Sequence, residues 1–512
     1  MTKVVGGEGC VVVEAPAGIV VVGGTATHAC PSQSTDVTGG AVVGGPGVVT
    51  VGGGVVVGVA GVLTVGGVVV GWLSAPAMPA WASAAAVTRA AVPAPATRPR
   101  RARSRRGSVP LCMPEVIGEG ADLFRGAPWF GLTPPDRRVK SASTSTSAKG
   151  DPMRAAVLRN TGDELLEIHD DVELVDAGPG QVKVKIEATG VCHSDVSGMT
   201  GIIPQPAPFV PGHEGAGTIT EVGPGVTNVK EGDHVIVAWS PPCGQCNFCV
   251  KHHQPHLCVN IQFAMGAVPN FRLEGNPVFG FAGTGTFAEE IILPHQAVVP
   301  ISKDVPFEIA SLVGCGVMTG VGAALNTAEV KPGSSVVVFG CGGVGIAAIQ
   351  GARVAGAAEI VAVDLVDQKL EDAKRFGATH AVKPDDLDGA KNEITGGDGF
   401  DYAFEAIGLP TTMRSAYDVT RRGGTTCIIG VGALDKFVQF SAFEIFFSEK
   451  NFTGSYYGSA DVRSDFDRVL GLWKAGRLDL EGMISRRIGL EDVNDAVAAL
   501  KAGETIRQVI SF

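Results

Sequence analysis

The stretch Ser335–Gly345, SVVVFGCGGVG, decides the fold of this 512-residue chain. It is an apolar run that ends in a glycine-rich turn, and the following segment, Ile346–Ala355, has helical character. Strand, glycine turn and helix in this order allow backbone amides to approach a pyrophosphate at the amino terminus of the helix. The sequence therefore predicts a dinucleotide-binding unit, and the glycines of its turn are Gly340, Gly342, Gly343 and Gly345.

A second apolar run, Ile360–Val363, ends in Asp364, 24 positions after Gly340. An acid at this place accepts hydrogen bonds from both ribose hydroxyls and repels a 2'-phosphate, so it predicts NAD rather than NADP. The alternative is that Asp364 only begins a turn. Further apolar runs at Tyr402–Glu405 and Cys427–Val431 flank a helical segment. This alternation predicts an α/β fold with a doubly wound parallel sheet.

Upstream of this unit, Cys192, His213 and Cys315 each lie in a distinctive context, CHSD, GHE and GCG. A lone histidine is more often structural than a metal ligand, but these flanks and the two cysteines favour a metal site. Two thiolates and one imidazole form the three-ligand set with which a catalytic zinc keeps its fourth position open. The sequence therefore predicts a catalytic zinc.

Four further cysteines lie between His213 and Cys315, separated by two, two and eight residues. They are Cys243, Cys246, Cys249 and Cys258. The first three also match the beginning of some iron–sulfur motifs, but there the fourth cysteine follows after three residues and precedes a proline. A thiolate-only tetrahedral site that closes around a structural zinc is the favoured interpretation.

These motifs together resemble the zinc-dependent alcohol dehydrogenases of the medium-chain dehydrogenase superfamily. The resemblance runs from about Met153 to Phe512 and includes the ending IRQVISF. Because two cysteines and a histidine are the known catalytic ligands of that family, the set is recognised here rather than deduced. The resemblance implies a GroES-like, β-rich catalytic domain and a Rossmann domain after a low-complexity leader. The expected bounds are 1–152 for the leader, 153–316 for the catalytic zinc domain, 317–457 for the NAD-binding domain and 458–512 for a return to the catalytic domain.

The resemblance also implies roles for the residues around the ligands. Ser194 would take the alcohol proton, His193 would lie near the cofactor pyrophosphate, and Glu214 would lie behind the zinc. Asp195 would orient the ligand histidine, as a carboxylate behind a metal-bound imidazole does. Ser197 stands where many relatives carry a histidine that ends a proton relay, and serine is not a base near neutral pH. The last step of such a relay is therefore left open here, with water or His193 as the alternatives.

Cofactor and substrate contacts are carried over in the same way. Lys369 is expected near the ribose, Arg507 near the pyrophosphate, and Thr319, which follows the third ligand, on the cofactor side of the cleft. Trp239 and Phe281 are expected to line an apolar substrate channel that excludes water from the zinc. The alternative for both aromatic residues is that they are ordinary core residues.

Composition restricts the partners. With 45% apolar and 18% charged residues the chain is typical of a globular protein. A net charge of -11 argues against a nucleic-acid partner, since phosphate binding needs a basic face. Six of the eleven cysteines lie at zinc-ligand spacings, which predicts a reducing compartment, by default the cytoplasm. The expected partners are a small alcohol or aldehyde and, by resemblance, further copies of the chain in a dimer or tetramer.

The first 152 residues lie outside the resemblance. They contain an uncharged tract, Val37–Thr88, that is rich in glycine and valine, and later a basic run, Arg98–Arg106. The tract is long enough to raise the possibility of a membrane span, but glycine disfavours a helix, so low complexity is the preferred interpretation. The leader is expected to be disordered or to come from an upstream start, with a membrane or targeting role as the alternative.

The sequence thus predicts reversible, zinc-dependent oxidation of an alcohol to an aldehyde or ketone, linked to NAD. One alternative is a thiol-dependent formaldehyde dehydrogenase, which shares both zinc sites and the cofactor fold. A second alternative is a non-catalytic member of the superfamily. Such a member would be recognised by the loss of catalytic zinc ligands, and all three ligands are present in this sequence. A membrane-tethered binding protein is the third and depends only on the glycine–valine tract.

Overall fold

The computed structural model describes residues 152–512 and, within residues 1–151, only the backbone of seven short strands. The chain divides into two compact units, Met1–Pro134 and Pro135–Phe512. The strands of the first unit are β1 (Lys3–Gly7), β2 (Cys10–Ala15), β3 (Gly18–Val22), β4 (Val48–Val51), β5 (Gly54–Val57), β6 (Leu63–Val65) and β7 (Val68–Gly71). Strands β1, β2 and β3 form an antiparallel sheet, and β4–β5 and β6–β7 form two antiparallel pairs. The predictions of a disordered leader and of its membrane alternative otherwise lie outside the described residues.

Within residues 152–512, the described part of the second unit, there are eighteen strands and twelve α-helices. Its strands are β8 (Met153–Val157), β9 (Glu167–Leu174), β10 (Gln181–Val191), β11 (Phe209–Val210), β12 (Glu214–Val222), β13 (His234–Val237), β14 (Phe271–Leu273), β15 (Asn276–Gly280), β16 (Glu290–Pro294), β17 (Val298–Ile301), β18 (Ser335–Phe339), β19 (Glu359–Val363), β20 (His380–Val382), β21 (Phe400–Glu405), β22 (Thr420–Ile428), β23 (Asn451–Gly454), β24 (Ile484–Ile488) and β25 (Arg507–Ser511). Its helices are α1 (His193–Met199), α2 (Asn247–Val250), α3 (Asn260–Gly266), α4 (Phe307–Leu312), α5 (Met318–Gly322), α6 (Gly343–Ala355), α7 (Asp367–Phe376), α8 (Leu387–Thr395), α9 (Pro410–Val419), α10 (Ala442–Ser448), α11 (Val462–Lys474) and α12 (Val493–Ala502).

Two sheets build the β-rich part of this unit. One has the order β17-β13-β12-β10-β25-β24, with β16 also paired to β10, and the other has the order β11-β15-β14-β9-β8. Along β10, Val182, Val184 and Ile186 are buried while the residues between them are more exposed, as the alternation in the sequence predicts. The strand continues to Val191, so the CHSD motif follows directly at the carboxyl end of this interior strand.

The cofactor-type sheet has six parallel strands in the order β20-β19-β18-β21-β22-β23. This is the doubly wound order in which ligands bind at the carboxyl ends of the two central strands, here β18 and β21. The apolar run Val336–Phe339 is buried because helices cover both faces of a parallel sheet. The predicted fold, a GroES-like β-rich domain with a doubly wound parallel sheet, is confirmed.

A continuous helical segment, Phe307–Thr327, consists of α4, α5 and two π-helical turns. It is the one helix in the described part of the chain whose length and composition would suffice to cross a membrane. However, 83% of its apolar window is buried inside the protein, in the same hydrophobic core as β18 and α6. It is therefore a core helix, and one of its π-turns carries Cys315.

Candidate functional site

The three predicted zinc ligands converge from three separate elements. Cys192 follows β10 and caps α1, His213 directly precedes β12, and Cys315 lies in the π-turn Val313–Val317. One ligand atom from each of them, together with a carboxylate oxygen of Glu214, lies within 4.8 Å of all the others. All four residues are buried. Within the described residues, Nε2 of His213 has no hydrogen-bond partner, as expected for an imidazole nitrogen that faces a metal.

Asp195 holds this histidine from behind. Its carboxylate is fully buried and accepts hydrogen bonds from Nδ1 of His213 at 2.9 Å, the backbone N–H of Cys192 at 2.9 Å and the backbone N–H of Gly212 at 3.0 Å. The bond to Nδ1 fixes the ring so that Nε2 points to the other ligands. One carboxylate thus ties two ligands and the turn between them into one rigid group.

The charges around the site suit a cation. A hydrogen bond from Cys315 lowers the pKa of Cys192 well below its ordinary value even though burial raises it. The same interaction, with burial, raises the pKa of Cys315 well above its ordinary value, so one thiol ionises before the other. Burial lowers the pKa of His213, but Asp195 and Cys192 together more than offset that, so its pKa is raised well above its ordinary value. Without a metal, the two thiols and the imidazole compete for protons. A bound divalent metal would remove this competition, since it favours both thiolates and a neutral imidazole.

Behind the ligands, Glu214 and Arg507 form a buried pair with 3.3 Å between Oε1 and Nη1. Burial raises the pKa of Glu214 to about 7, although Arg507 acts in the opposite direction. Oε1 also accepts a hydrogen bond from the backbone N–H of Gly316 at 3.2 Å, whereas Oε2 has no partner among the described residues. The pair therefore connects the π-turn that carries Cys315 to the last strand, which begins at Arg507.

The four-cysteine cluster also converges. The sulfur atoms of Cys243, Cys246, Cys249 and Cys258 lie within 4.8 Å of one another. Cys246 and Cys249 approach to 3.5 Å, which is much longer than a disulfide bond of about 2.05 Å. Sγ of Cys243 accepts hydrogen bonds from the backbone N–H groups of Gln245 and Cys246, which lower its pKa to about 6 against the effect of burial. Backbone donors around sulfur stabilise thiolates, so this donor set fits a closed zinc site.

The glycine turn joins β18 to α6 as the sequence predicts. Gly340 has a φ of +90°, which a residue with a side chain rarely adopts, and a Cβ there would also meet Ile407. Gly342 caps α6, and no atom lies within 4 Å of the place where its Cβ would be. Asp364 follows β19, and its carboxylate accepts hydrogen bonds from the backbone N–H groups of Cys341 at 2.8 Å and Val366 at 3.0 Å. The acid therefore lies at the turn, where a cofactor ribose is expected.

Arg507 reaches the same helix terminus from the other side. Its guanidinium packs so closely on Gly343 and Gly316 that a Cβ at either glycine would overlap it. Nε and Nη2 are buried and lack hydrogen-bond acceptors within the part of the chain that the structure describes. Two unsatisfied donors beside the amino terminus of α6 fit the pyrophosphate of a dinucleotide. A side chain at position 316 or 343 could therefore be accommodated only if the guanidinium moved.

The remaining predicted catalytic and cofactor residues lie nearby. Burial lowers the pKa of His193, and the positive charges of Arg507 and Lys369 act in the same direction, so all three lie within electrostatic reach of one another. Ser194 lies beside the first ligand, with 3.8 Å between its Oγ and Sγ of Cys192. Thr319 lies on α5, which packs directly on α6.

Aromatic rings line the other side of the ligands. The His213 ring makes edge-to-face contacts with Phe281 at 5.5 Å and Trp239 at 6.4 Å, so both predicted pocket residues lie at the site. Trp239 in turn contacts the rings of Tyr457 at 4.5 Å and Tyr456 at 5.3 Å. The two tyrosines were not among the residues predicted from the sequence. The signal for them is an aromatic pair that begins two residues after the end of β23, the last strand of the parallel sheet.

Comparison with known proteins agrees with this geometry. Residues 178–303 match the alcohol dehydrogenase GroES-like domain, and residues 343–475 match the zinc-binding dehydrogenase domain. The chain is 38% identical over 377 residues to alcohol dehydrogenase class-3 of Cereibacter sphaeroides, covering 70% of this chain and 99% of the relative. It is also 38% identical over 376 residues to S-(hydroxymethyl)glutathione dehydrogenase of Paracoccus denitrificans, with the same coverage. Benzyl alcohol dehydrogenase of Acinetobacter calcoaceticus, a solved structure, is 31% identical with a TM-score of 0.65, covering 70% of this chain and 99% of that one.

Proposed function

The chain belongs to the zinc-dependent alcohol dehydrogenases of the medium-chain dehydrogenase superfamily, and on that basis we propose that it catalyses reversible, NAD-linked oxidation of an alcohol to an aldehyde or ketone. It is an oxidoreductase whose cofactors are zinc and NAD. The observation that carries the proposal is the convergence of Cys192, His213 and Cys315 beside Ser194, with Nε2 of the histidine unpartnered in the described structure.

We propose that Cys192, His213 and Cys315 hold the catalytic zinc. When bound, zinc polarises the alcohol hydroxyl and NAD accepts a hydride. Ser194 is proposed to receive the hydroxyl proton, and Asp195 keeps the histidine in the required tautomer. The aromatic wall excludes water, which strengthens electrostatic interactions at the reacting hydroxyl.

We further propose that the chain's own residues hold NAD as follows. Gly340, Gly342, Gly343 and Gly345 leave room for the pyrophosphate at the amino terminus of α6. The two free donors of Arg507 bind the pyrophosphate, and His193 lies beside it. Asp364 and Lys369 contact the adenine-side ribose, and Thr319 lies on the nicotinamide side of the cleft. The carboxylate of Asp364 would repel a 2'-phosphate, so it selects NAD.

The second candidate function is oxidation of an S-(hydroxymethyl) thiol, the adduct of formaldehyde with a thiol. It is favoured by the relatives of that name, which are 36–38% identical over 99% of their own length. Both candidates use the same zinc ligands and cofactor site, so they differ only in what the substrate pocket accepts. Substrate comparison therefore separates them.

We propose the domain bounds 153–316, 317–457 and 458–512 for the catalytic domain, the NAD-binding domain and the return segment. The return is supported by β25, which pairs with β10 in the catalytic sheet. A cytoplasmic location is supported by the eight cysteines of the described residues, none of which forms a disulfide.

A homo-oligomer is supported by an exposed apolar surface beside the edge strand β23. On α10, Phe443 is 69% exposed and Phe446 is 81% exposed. Arg414 holds this helix in place with two 2.7 Å hydrogen bonds to Glu444, and Ser441 caps it. Exposed aromatic residues on a rigid helix suit burial against a second copy. We propose that β23 and α10 meet their counterparts in a dimer.

The activity is tested with purified, zinc-loaded full chain by following NADH formation. The panel contains simple primary alcohols and, separately, formaldehyde with thiols. Cys315→Ala, which removes one ligand, serves as the matched control. Turnover of simple alcohols that disappears in the control supports the first function, and turnover of the thiol adduct alone supports the second. A zinc-loaded enzyme that is inactive on both would refute both.

A further inference from the structure

Tyr457 contacts the turn that presents the third predicted zinc ligand. The residue is buried, and its hydroxyl donates a hydrogen bond to the backbone carbonyl of Gly314 across a sequence separation of 143 residues. That carbonyl lies in the same planar peptide unit as the nitrogen and Cα of Cys315. A hydrogen bond to it therefore restricts the orientation of the backbone from which the Cys315 side chain extends.

The other side of Cys315 is held as well. Gly316 donates its backbone N–H to Oε1 of Glu214 at 3.2 Å, and a Cβ at Gly314 would lie only 3.0 Å from the carbonyl oxygen of Val237 on β13. The ligand lies between these two glycines in a π-turn, a wide helical turn that is found frequently at functional sites. The backbone of the ligand is therefore held on both sides.

The backbone that carries the tyrosine is strained. Tyr457, Gly458 and Ser459 have φ angles of +54°, +65° and +50°, and two of the three carry side chains that disfavour this left-handed region. Such strain persists only where surrounding contacts hold it, and it is concentrated at functional sites. The chain thus tolerates an unfavourable backbone at the residue whose hydroxyl reaches the π-turn.

The end of the long core helix supplies the contacts that hold this strained segment. Oγ1 of Thr327 forms hydrogen bonds of 2.8 Å with the hydroxyls of both Ser455 and Ser459, and Nδ2 of Asn326 donates to the carbonyl of Gly458 at 3.1 Å. A Cβ at Gly458 would overlap the backbone of the same helix. The strained segment is therefore fastened to the continuous helix that also carries the third ligand.

We propose that Tyr457 is a positioning residue for the catalytic zinc, and that its hydroxyl fixes the orientation of Cys315 through the carbonyl of Gly314. This rests on the proposed function, since it requires that Cys192, His213 and Cys315 hold the metal. A ligand whose backbone is already fixed loses less conformational freedom when it binds, and so it holds the metal more tightly. Tyr457 acts through the backbone of the ligand rather than on the reacting groups.

The test uses Tyr457→Phe in the full chain. Phenylalanine removes the hydroxyl and keeps the ring contacts with Trp239 at 4.5 Å and Phe466 at 6.4 Å. We expect the zinc affinity of the catalytic site to fall about fivefold, the size of one buried hydrogen bond. Affinity is measured by competition with a chromophoric chelator, and Cys315→Ala gives the signal of the four-cysteine site alone.

A cobalt-substituted protein provides a readout that does not depend on turnover. Cobalt(II) bound by thiolates has a sulfur-to-metal charge-transfer absorption whose position and intensity follow the metal–sulfur geometry. We expect this band of the catalytic site to shift or weaken in Tyr457→Phe. The matched control is Tyr417→Phe, which removes another buried tyrosine hydroxyl, one that lies 2.8 Å from Oγ of Ser448 between α9 and α10. The control should lower the free energy of unfolding similarly but leave zinc affinity and the cobalt band unchanged.

Unchanged zinc affinity and an unchanged cobalt band in Tyr457→Phe would overturn the positioning role and leave the proposed catalytic zinc intact. Equal losses of zinc affinity in Tyr457→Phe and the control would also overturn it, since general destabilisation produces them. A wild-type chain that binds metal only at the four-cysteine site would instead overturn the proposed function.

A second variant decides the question if Tyr457→Phe does not fold. Thr327→Val removes, at similar volume, the hydroxyl that contacts Ser455 and Ser459, so it loosens the strained segment without changing the tyrosine. We expect zinc affinity of the catalytic site to fall about threefold and the cobalt band to change in the same direction. Wild-type zinc affinity in a folded Thr327→Val protein would refute the proposal.

Discussion

Asp195→Asn provides the sharpest test of how the ligands are held. Oδ1 accepts from His213 and Gly212, while Oδ2 accepts from the backbone N–H of Cys192. An asparagine can keep the Oδ1 contacts but places an N–H group opposite the N–H of Cys192. Because the residue is fully buried, this leaves unpaired donors, which costs about 1–3 kcal/mol of the free energy of unfolding. Loss of the carboxylate behind a metal-bound histidine lowers zinc affinity by roughly 10- to 100-fold.

Zinc affinity is measured by competition with a chromophoric chelator, and stability by chemical denaturation of the zinc-loaded protein. Asp233→Asn is the matched control, since Asp233 accepts from Lys230 in a surface turn before β13. We expect the control to bind zinc as the wild type does. A normal affinity of the catalytic site in Asp195→Asn, with normal stability, would refute the idea that this carboxylate positions the ligands.

Three further outcomes are expected. Asp364→Asn should shift the NAD to NADP ratio of kcat/KM by on the order of tenfold towards NADP, because one charge that repels a phosphate at surface dielectric is removed; an unchanged ratio would contradict the assigned role. Cys246→Ser should lower the zinc content by one ion per chain and lower the Tm while the catalytic ligands keep their metal, as elemental analysis and calorimetry can establish. Glu444 has its pKa lowered to about 2 by the hydrogen bond from Arg414, so its stabilising effect is complete above the ordinary pKa and disappears as the pH falls towards 2. The Tm difference between wild type and Glu444→Gln should therefore shrink between pH 5 and about pH 2, and a constant difference would count against this pair.

Sequence motifs predicted those parts of the site that are local. The spacing of Cys243, Cys246 and Cys249 brings their sulfur atoms together within one loop, whatever the rest of the chain does. The run Ser335–Gly345 likewise encodes its strand and turn, because apolar β-branched residues and glycines restrict the backbone directly. Family resemblance then supplied the assignment of Cys192, which periodicity alone could not give.

The tertiary structure alone decided which distant side chains meet. The pairing of Glu214 with Arg507 depends on β25 lying beside β10, and the bond between Tyr456 and Gln262 crosses 194 residues. The two tyrosines at the pocket were missed because their sequence context is that of an ordinary strand end. Local sequence restricts the backbone and so fixes strands, turns and clustered ligands, whereas contacts across the cleft depend on sheet order and register, which follow from the packing of the whole core.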